Sequence, residues 1–288
     1  MYGCKAIMNM SRVNDYSQLD ITWKVVTLLP PGDVDEGRDK IESIIRSIKK
    51  IETSYPVCST AINIDKVAVL PEGYCAYIGV VYDKGHIYRP DYKFLNEETV
   101  IIFDVGAGTT DCMLVKNGKL VQTSKHTVNK GGNNVLQIVK RDLELQGLEL
   151  EESDIQNGII KGYVKDGSKQ MPIADIVNKA KSEVASIIIE DFTGYLERTD
   201  MKVRSIGYVL VCGGGSMNDS DCPDIKPLSE DLVNNFKELS PNASLIDIPT
   251  HVVSKPDEEE EGTYKKVEEQ ISPRDLNLIG ASILAELI

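Results

Sequence analysis

The chain has 288 residues, of which 41% are hydrophobic and 27% are charged, a composition that predicts a folded protein large enough for two domains and excludes an intrinsically disordered one. The formal net charge of −13 argues against direct, non-specific binding to DNA phosphates. No stretch approaches the about 20 apolar residues that span a bilayer, and none of the six cysteines forms a C-x-x-C pair, so we expect a reduced, cytoplasmic protein without a membrane partner.

Strands and helices alternate along the sequence, which predicts the α/β class. Short apolar runs ended by Gly, Pro or Asn predict strands at 21–29, 62–70, 100–104, 112–115, 120–123 and 206–212. Apolar residues at helical spacing predict helices at 34–51, 133–149, 172–196, 228–239 and 273–288. Asn117-Gly118 predicts a tight hairpin, Pro172 suits the first turn of its helix, and the acidic stretch 256–262 predicts a solvated loop.

The most informative segment is Asp104-Val105-Gly106-Ala107-Gly108-Thr109-Thr110-Asp111, directly after a strongly apolar strand. A carboxylate there can hold a hydrated Mg²⁺ through its waters, and the glycines let backbone N–H groups approach a phosphate. The segment is not a Walker A loop, because no Gly-Lys-Ser/Thr follows, and it is not a dinucleotide fingerprint, because a hairpin strand comes next. The motif alone leaves a second interpretation open, a glycine turn between two strands.

This segment resembles the second phosphate-binding motif of the actin, sugar-kinase and heat-shock-chaperone ATPase superfamily, an Asp-x-Gly-x-Gly-Thr-x-Asp hairpin after a buried strand. Three further segments resemble that superfamily in the same order along the chain. They are the helix start Gly131-Gly132-Asn133-Asn134, the strand and adenosine-binding loop 207–217, and Leu278-Ile279-Gly280-Ala281 in the last helix. In the last of these, a small residue permits close packing at the domain hinge.

Another segment, 67–75, resembles the strand and first connecting helix of the ParM/StbA-type plasmid-segregation actins, with Pro71-Glu72 at the helix start. In that family the glutamate lies near the γ-phosphate and orients the attacking water, which implies the same role for Glu72. Pro followed by Glu is also ordinary helix-start chemistry, so a structural interpretation of the pair stays open.

The resemblance implies a site for ATP or GTP with Mg²⁺. Asp104 would face the metal and, with Glu72, is a catalytic candidate. The candidates for contact with the nucleotide are Gly106, Ala107, Gly108, Thr109, Thr110, Gly131, Gly132, Lys179, Glu183, Gly213, Gly214, Gly215 and Ser216. Lys179, Lys181 and Glu183 lie on the long helix whose superfamily counterpart reaches the base and ribose, although charges on a helix usually form a solvated face.

The fold implied is the actin-like (ribonuclease H-like) two-domain ATPase fold. The resemblance covers about 23–288 and divides the chain into a partial first domain at 1–98, a second domain at 99–270 and a C-terminal helix at 271–288 that returns to the first domain. Before Trp23 no segment resembles the family's first phosphate loop, and 14–17 carries an aspartate but no strand or glycine. We therefore expect the first domain to lack its opening strands, through truncation or because another chain supplies them.

The function implied is that of an ATP-binding protein that polymerises with itself into nucleotide-dependent filaments, reaching DNA only through an adaptor protein, as in plasmid partition. ATP hydrolysis is expected if the first phosphate loop is supplied. The alternatives are a non-catalytic or truncated actin-like scaffold and a different ATPase of the superfamily, such as a chaperone-like reactivating ATPase or a sugar kinase.

Overall fold

The structure, a computed structural model, describes residues 18–54, 57–199, 201–216, 220–256 and 264–287. The strands are β1 (Gln18–Leu29), β2 (Lys50–Ser54), β3 (Val57–Pro71), β4 (Tyr82–Asp83), β5 (Ile87–Tyr88), β6 (Thr99–Val105), β7 (Thr110–Lys116), β8 (Lys119–Leu120), β9 (His126–Val128), β10 (Tyr163–Asp166), β11 (Lys169–Pro172), β12 (Tyr208–Cys212), β13 (Ser244–Leu245), β14 (Thr250–Pro256) and β15 (Tyr264–Gln270). The helices are α1 (Val34–Ser47), α2 (Tyr74–Val81), α3 (Gly132–Glu144), α4 (Glu152–Lys161), α5 (Ala174–Arg198), α6 (Leu228–Leu239) and α7 (Leu276–Ala285).

The first sheet has the strand order β1-β3-β2. Strands β1 and β3 run parallel and are joined through α1, whereas β2 pairs antiparallel with β3. A small apolar cluster centred on Ile62 and Ile64, with Trp23 and Ile45 packed against it, holds this sheet together with its helix. Because Leu29 pairs with Pro71, the loops after β1 and β3 leave the sheet at the same edge.

The central sheet has the order β13-β12-β6-β7-β8, with β9 also paired to β7. Strand β6 is buried along nearly its whole length, as expected for a strand covered on both faces. Strands β6 and β12 are parallel, and Asp104 pairs with Cys212. The loops that follow these two strands therefore emerge side by side at the carboxyl edge, the edge at which open α/β sheets bind ligands.

Helices cover both faces of the central sheet, so this part of the molecule has three layers. On one face, residues of α3, α5 and α6 pack in one large core around Phe103, which lies edge-on to Phe192 and Phe236. On the other face, Ile102 and Met113 lie in a core shared with α2 and α7. Helix α7 also contacts β1, so α2 and α7 lie between the two sheets.

The crossing of α2 and α7 brings two backbones together. A Cβ on Gly280 would lie 2.6 Å from the carbonyl carbon of Cys75 and 2.9 Å from the amide nitrogen of Gly79. A Cβ on Gly79 would lie 2.8 Å from the carbonyl oxygen of Leu276. Both positions need glycine, because no side chain fits between backbones at this separation.

Several element boundaries differ from those predicted. The helix predicted at 172–196 begins at Ala174, because Pro172 is the last residue of β11. Strand β11 pairs antiparallel with β10 in a hairpin that was not predicted. Helix α1 was predicted to extend to residue 51 but ends at Ser47, because β2 begins at Lys50. Helix α4 was not predicted. Pro71 ends a strand and does not open a helix, since Gly73, with φ of 66°, makes the turn into α2.

The hairpin predicted at Asn117-Gly118 is confirmed. Both residues have positive φ, 50° and 73°, as a two-residue turn between β7 and β8 requires. The segment 14–17 and most of the acidic stretch 256–262 lie outside the described residues. In the part of the chain that the structure describes, no helix combines the length and apolar character needed to cross a bilayer.

Candidate nucleotide-binding site

Two buried aspartates face each other at the carboxyl end of β6. Asp104 on β6 pairs directly with Asp111 on β7, and the two residues are only 7% and 6% exposed. Burial raises the pKa of Asp104, against hydrogen bonds that lower it. Burial also raises the pKa of Asp111 to about 6, although the Thr127 hydroxyl donates to this carboxylate at 2.6 Å and lowers the pKa. Like charges directly opposite in a sheet are destabilising, and a bound cation would relieve their repulsion.

Glu72 approaches these aspartates from the first sheet. It lies in the two-residue turn between β3 and α2, and its amide donates to the carbonyl oxygen of Leu29 at 2.9 Å. Burial raises the pKa of Glu72, and the negative charges of Asp104 and Asp111 raise it further. The structure thus brings together the two carboxylates predicted as catalytic and adds Asp111, so that negative charge concentrates where the two sheets meet.

Three glycine-rich loops converge beside the aspartates. A Cβ on Gly131 would lie 2.6 Å from the carbonyl oxygen of Gly106 and 2.9 Å from that of Ala107. A Cβ on Gly215 would lie 3.0 Å from the carbonyl oxygen of Val105 and closer still to that of Gly106. Gly213 has φ of 85°, and a Cβ there would lie 2.5 Å from Oδ1 of Asp104. The loops pack so closely that only glycine fits at their contacts.

The tip of the β6–β7 hairpin points away from this packing. Ala107, Gly108 and Thr109 are exposed, and a Cβ on Gly108 would meet nothing within 4 Å. Two carbonyl oxygens of the hairpin accept hydrogen bonds from the start of α3. The Gly132 amide donates to the Gly106 oxygen at 3.0 Å, and the Asn133 amide donates to the Ala107 oxygen at 2.7 Å. These bonds fix the loop, while the exposed tip keeps room for an anion against its backbone.

A cavity of about 320 Å³ opens next to the glycine loops, the lower end of the size that small-molecule sites have. Its lining combines five apolar side chains, four polar side chains and three glycines. The lining residues are Gly132, Asn133, Val135, Leu136, Gln156, Ile159, Ile160, Lys181, Gly214, Gly215, Ser220 and Leu228. Three predicted nucleotide contacts, Gly132, Gly214 and Gly215, are among them.

Four other predicted contacts are engaged elsewhere. Lys179 pairs with Asp142 at 3.1 Å and Glu183 with Arg141 at 3.4 Å, both on the exposed side of α3. The Thr110 hydroxyl donates to the carbonyl oxygen of Lys130 at 2.7 Å, and the Ser216 hydroxyl to that of Gly213 at 2.8 Å. Thr110 and Ser216 therefore hold the loops in shape, and Lys179 and Glu183 are not part of the cavity lining.

Three residues of the site are absent from the predicted list of contacts, although Lys181 was named with Lys179 and Glu183 on its helix. Lys181 is buried, lines the cavity and donates to the carbonyl oxygen of Lys226 at 2.5 Å. The guanidinium of Arg274 lies beside the glycine loop, 3.0 Å from the point that a Cβ on Gly214 would occupy. Asn277 donates to Oδ2 of Asp104 at 2.5 Å. Lys181 carried a signal, since it interrupts the apolar face of its helix, whereas nothing in the sequence marks Asn277.

The geometry fits a nucleotide better than a protein-only metal site. Among the described residues, no group of three or more His, Cys, Asp or Glu side chains is placed to hold a metal ion. A Mg²⁺ that keeps its waters and binds phosphates needs only one or two carboxylates, and Asp104 lies beside the hairpin tip. The tight glycine contacts leave backbone open to phosphates on one side and to the cavity on the other.

Fold, loops and site together define an actin-like architecture. The family model of the archaeal actin homologue MreB-like C-terminal domain matches residues 102–219, the part that contains the hairpin and the glycine loop after β12. A search of curated proteins finds no match.

Solved structures cover nearly the whole chain. The actin-like protein Alp7A matches with a TM-score of 0.64 and 15% identity over 98% of this chain and 72% of its own. The archaeal actin homologue Ta0583 in complex with ADP matches with a TM-score of 0.58 and 16% identity, over 93% of this chain and 72% of its own. ParM in a 15-stranded filament from Clostridium botulinum matches with a TM-score of 0.55 and 16% identity, over 91% of this chain and 66% of its own. The actin-like fold and the resemblance to ParM-type actins predicted from the motifs are confirmed.

Proposed function

We propose that this protein binds a purine nucleoside triphosphate with Mg²⁺ and assembles with itself into filaments whose stability the nucleotide controls. The observation that carries the proposal is the convergence of three glycine loops beside the Asp104–Asp111 pair and next to the cavity. The ADP complex of one structural relative and the filament of another support the two halves of the proposal.

Each part of the site takes one part of the nucleotide. The backbone N–H groups of Ala107, Gly108 and Thr109 bind phosphate, because they lie at the exposed hairpin tip. The cavity holds the nucleoside against Gly214 and Gly215, with Lys181 and Arg274 as polar neighbours. ATP and GTP both suit this arrangement.

Hydrolysis in such a site depends mainly on positioning and charge. Mg²⁺, when bound, neutralises phosphate charge. Asp104 holds the waters around the cation, and Glu72 orients the attacking water and accepts its proton at the carboxylate.

The proposal includes the expected division of the chain into a first domain at 1–98, a second domain at 99–270 and a C-terminal segment at 271–288. Opening and closing would occur between the first sheet and the central sheet, with α2 and α7 between them. The net charge of −13 disfavours direct contact with DNA, so a role in plasmid partition would require an adaptor protein.

The first test is calorimetric titration of Mg²⁺-ATP into the wild-type protein and Asp104→Ala. We expect binding by the wild type and at least a tenfold loss of affinity in the variant. Lys179→Ala is the control, because its ion pair lies outside the cavity, and its affinity should stay within twofold. Absence of binding by the wild type would overturn the nucleotide half of the proposal.

Sedimentation with and without Mg²⁺-ATP tests the filament half. We expect the pelleted fraction of wild-type protein to rise with nucleotide and that of Asp104→Ala to stay at the nucleotide-free value. If binding occurs and no condition pellets the protein, a nucleotide-binding scaffold replaces the filament.

A further inference from the structure

Asn277 joins three segments that are far apart in the sequence. Its Nδ2 donates to Oδ2 of Asp104 at 2.5 Å, and its Oδ1 accepts hydrogen bonds from the amides of Gly73 at 2.7 Å and Ala76 at 3.1 Å. One carboxamide in the first turn of α7 therefore connects the end of β6 with the start of α2. Both acceptor sites of Oδ1 and one of the two N–H groups of Nδ2 are therefore engaged.

These bonds fix the backbone on both sides of Glu72. The amide of Glu72 donates to Leu29 of β1, and the next amide, that of Gly73, donates to Asn277. Gly73 has a positive φ of 66°, so the turn has one defined shape. The direction in which the Glu72 side chain leaves the turn is thereby set by a residue of α7.

The same side chain orients Asp104. The hydrogen bond from Asn277 engages Oδ2, while Oδ1 lies against the loop at Gly213. The Cys212 thiol and the Gly73 amide also hydrogen-bond to this carboxylate, so Asn277 orients Asp104 together with these two groups and links it to the turn that carries Glu72.

We propose that Asn277 is a positioning residue, which holds the Glu72 turn and the Asp104 carboxylate in the relation that hydrolysis requires. This role rests on the function proposed for the site. Asn277 binds no part of the nucleotide in this role, so its removal slows turnover without weakening the binding of nucleotide.

A purely structural role predicts something different. The first N–H groups of a helix lack partners within it, and Gly73, the residue before α2, has no side chain to supply one. If Asn277 only filled that need, its loss would lower stability and leave the kinetic constants of the folded protein unchanged.

The test compares Asn277→Ala and Asn277→Asp with the wild-type protein. Asn277→Ala loses all three bonds. In Asn277→Asp the new carboxylate can still accept hydrogen bonds from the amides of Gly73 and Ala76. It cannot donate to Asp104, so a second carboxylate faces Asp104 where the Nδ2 donor was. Asn235→Ala is the matched control, because its carboxamide also bridges two helices, donating to the Ser186 hydroxyl at 3.0 Å, and Asn235 does not line the cavity.

We expect kcat for ATP hydrolysis to fall by on the order of 10²-fold in both Asn277 variants, the size of effect that a small misplacement of catalytic groups causes. The calorimetric Kd for Mg²⁺-ATP should change less than threefold in Asn277→Ala, which keeps the Asp104 carboxylate and adds no charge, and Asn235→Ala should keep both values. Amide hydrogen exchange supplies a readout that does not involve activity. The amides of Gly73 and Ala76 should exchange faster in Asn277→Ala and stay protected in Asn277→Asp.

Failure of this role can be told apart from failure of the proposed function. No binding of Mg²⁺-ATP by the wild-type protein overturns the proposed function and this role with it. Binding without turnover by the wild type leaves the binding site standing and overturns the role of Asn277. Normal wild-type turnover with kcat of Asn277→Ala within twofold, or with Kd weakened as much as kcat, overturns the role of Asn277 alone.

Discussion

The contact between α2 and α7 makes a prediction about Gly280. In Gly280→Ala the new Cβ would lie 2.6 Å from the Cys75 carbonyl carbon and 2.9 Å from the Gly79 nitrogen, well inside the 3.4 Å at which ordinary contact begins. Both obstacles are backbone of another helix, so the helices must separate. Overpacking costs about 1–3 kcal/mol, here at the upper end, and the helix preference for Ala returns about 1 kcal/mol. The expected net loss is about 2 kcal/mol.

The measurement is the free energy of unfolding in urea, with Gly194→Ala as the matched control. Gly194 also lies within a helix, but a Cβ there would meet only the end of the Arg198 side chain, at 3.7 Å. The control should gain up to about 1 kcal/mol from helix preference. Gly79→Ala should fall between the two, because its nearest obstacles lie at 2.8 and 3.2 Å. Gly280→Ala that is as stable as Gly194→Ala would refute the close crossing.

Three further predictions concern the site and its rim. Asp111→Asn should stabilise the fold by about 3 kcal/mol above pH 6, because the pKa of Asp111 is raised from 3.8 to about 6 and the wild type loses stability as pH rises through this range. Urea melts from pH 4 to 8 check this, and the same pH dependence of stability in both proteins would contradict it. Lys125 of the segment before β9 pairs with Asp35 of α1. Lys125→Met and Asp35→Asn should each lower the melting temperature at low salt, and the double variant should lower it no further than either single variant. Additive effects of the two changes in calorimetry would argue against a direct pair. Ile160 lines the cavity and is 39% exposed. Ile160→Trp should therefore weaken Mg²⁺-ATP binding more than tenfold without loss of stability, and Ile160→Val is the control. Unchanged affinity in Ile160→Trp would place the nucleoside elsewhere.

The strands at the core of the site could be predicted because their sequence signal is local. The apolar run before Asp104 and the glycines after it lie within nine residues, 100–108, and a buried strand followed by a tight turn accounts for all of them. The same holds for the loop after β12. Local patterns decide such elements before any tertiary contact does.

A list of the charged residues of α5 does not show which of their side chains line the cavity. Lys181 lies between Val177 and Val184 on the apolar face, and all three are buried. Lys179 and Glu183 lie on the exposed side, where ion pairs with α3 engage them. Helical periodicity separates these two groups, so a buried cation on the apolar face was the signal that could have found Lys181.

Asn277 could not have been found in this way. Its partners Asp104 and Gly73 lie 173 and 204 residues away in the sequence, and a single Asn in an apolar helix is compatible with many surroundings. Its contacts exist only because α7 returns to lie between the two sheets, which is a property of the tertiary structure.

The facing pair of Asp104 and Asp111 bears on the choice between the two interpretations of the hairpin. A glycine turn that only connected two strands would gain nothing from two buried like charges on opposite residues, since such a pair destabilises the sheet. Glu72 adds a third carboxylate, and repulsion from Asp104 and Asp111 raises its pKa beyond the effect of burial. Local rules are broken in this way mainly where function requires it. The repulsion therefore supports, independently of any resemblance, the proposal that this edge of the molecule binds a cation together with phosphate.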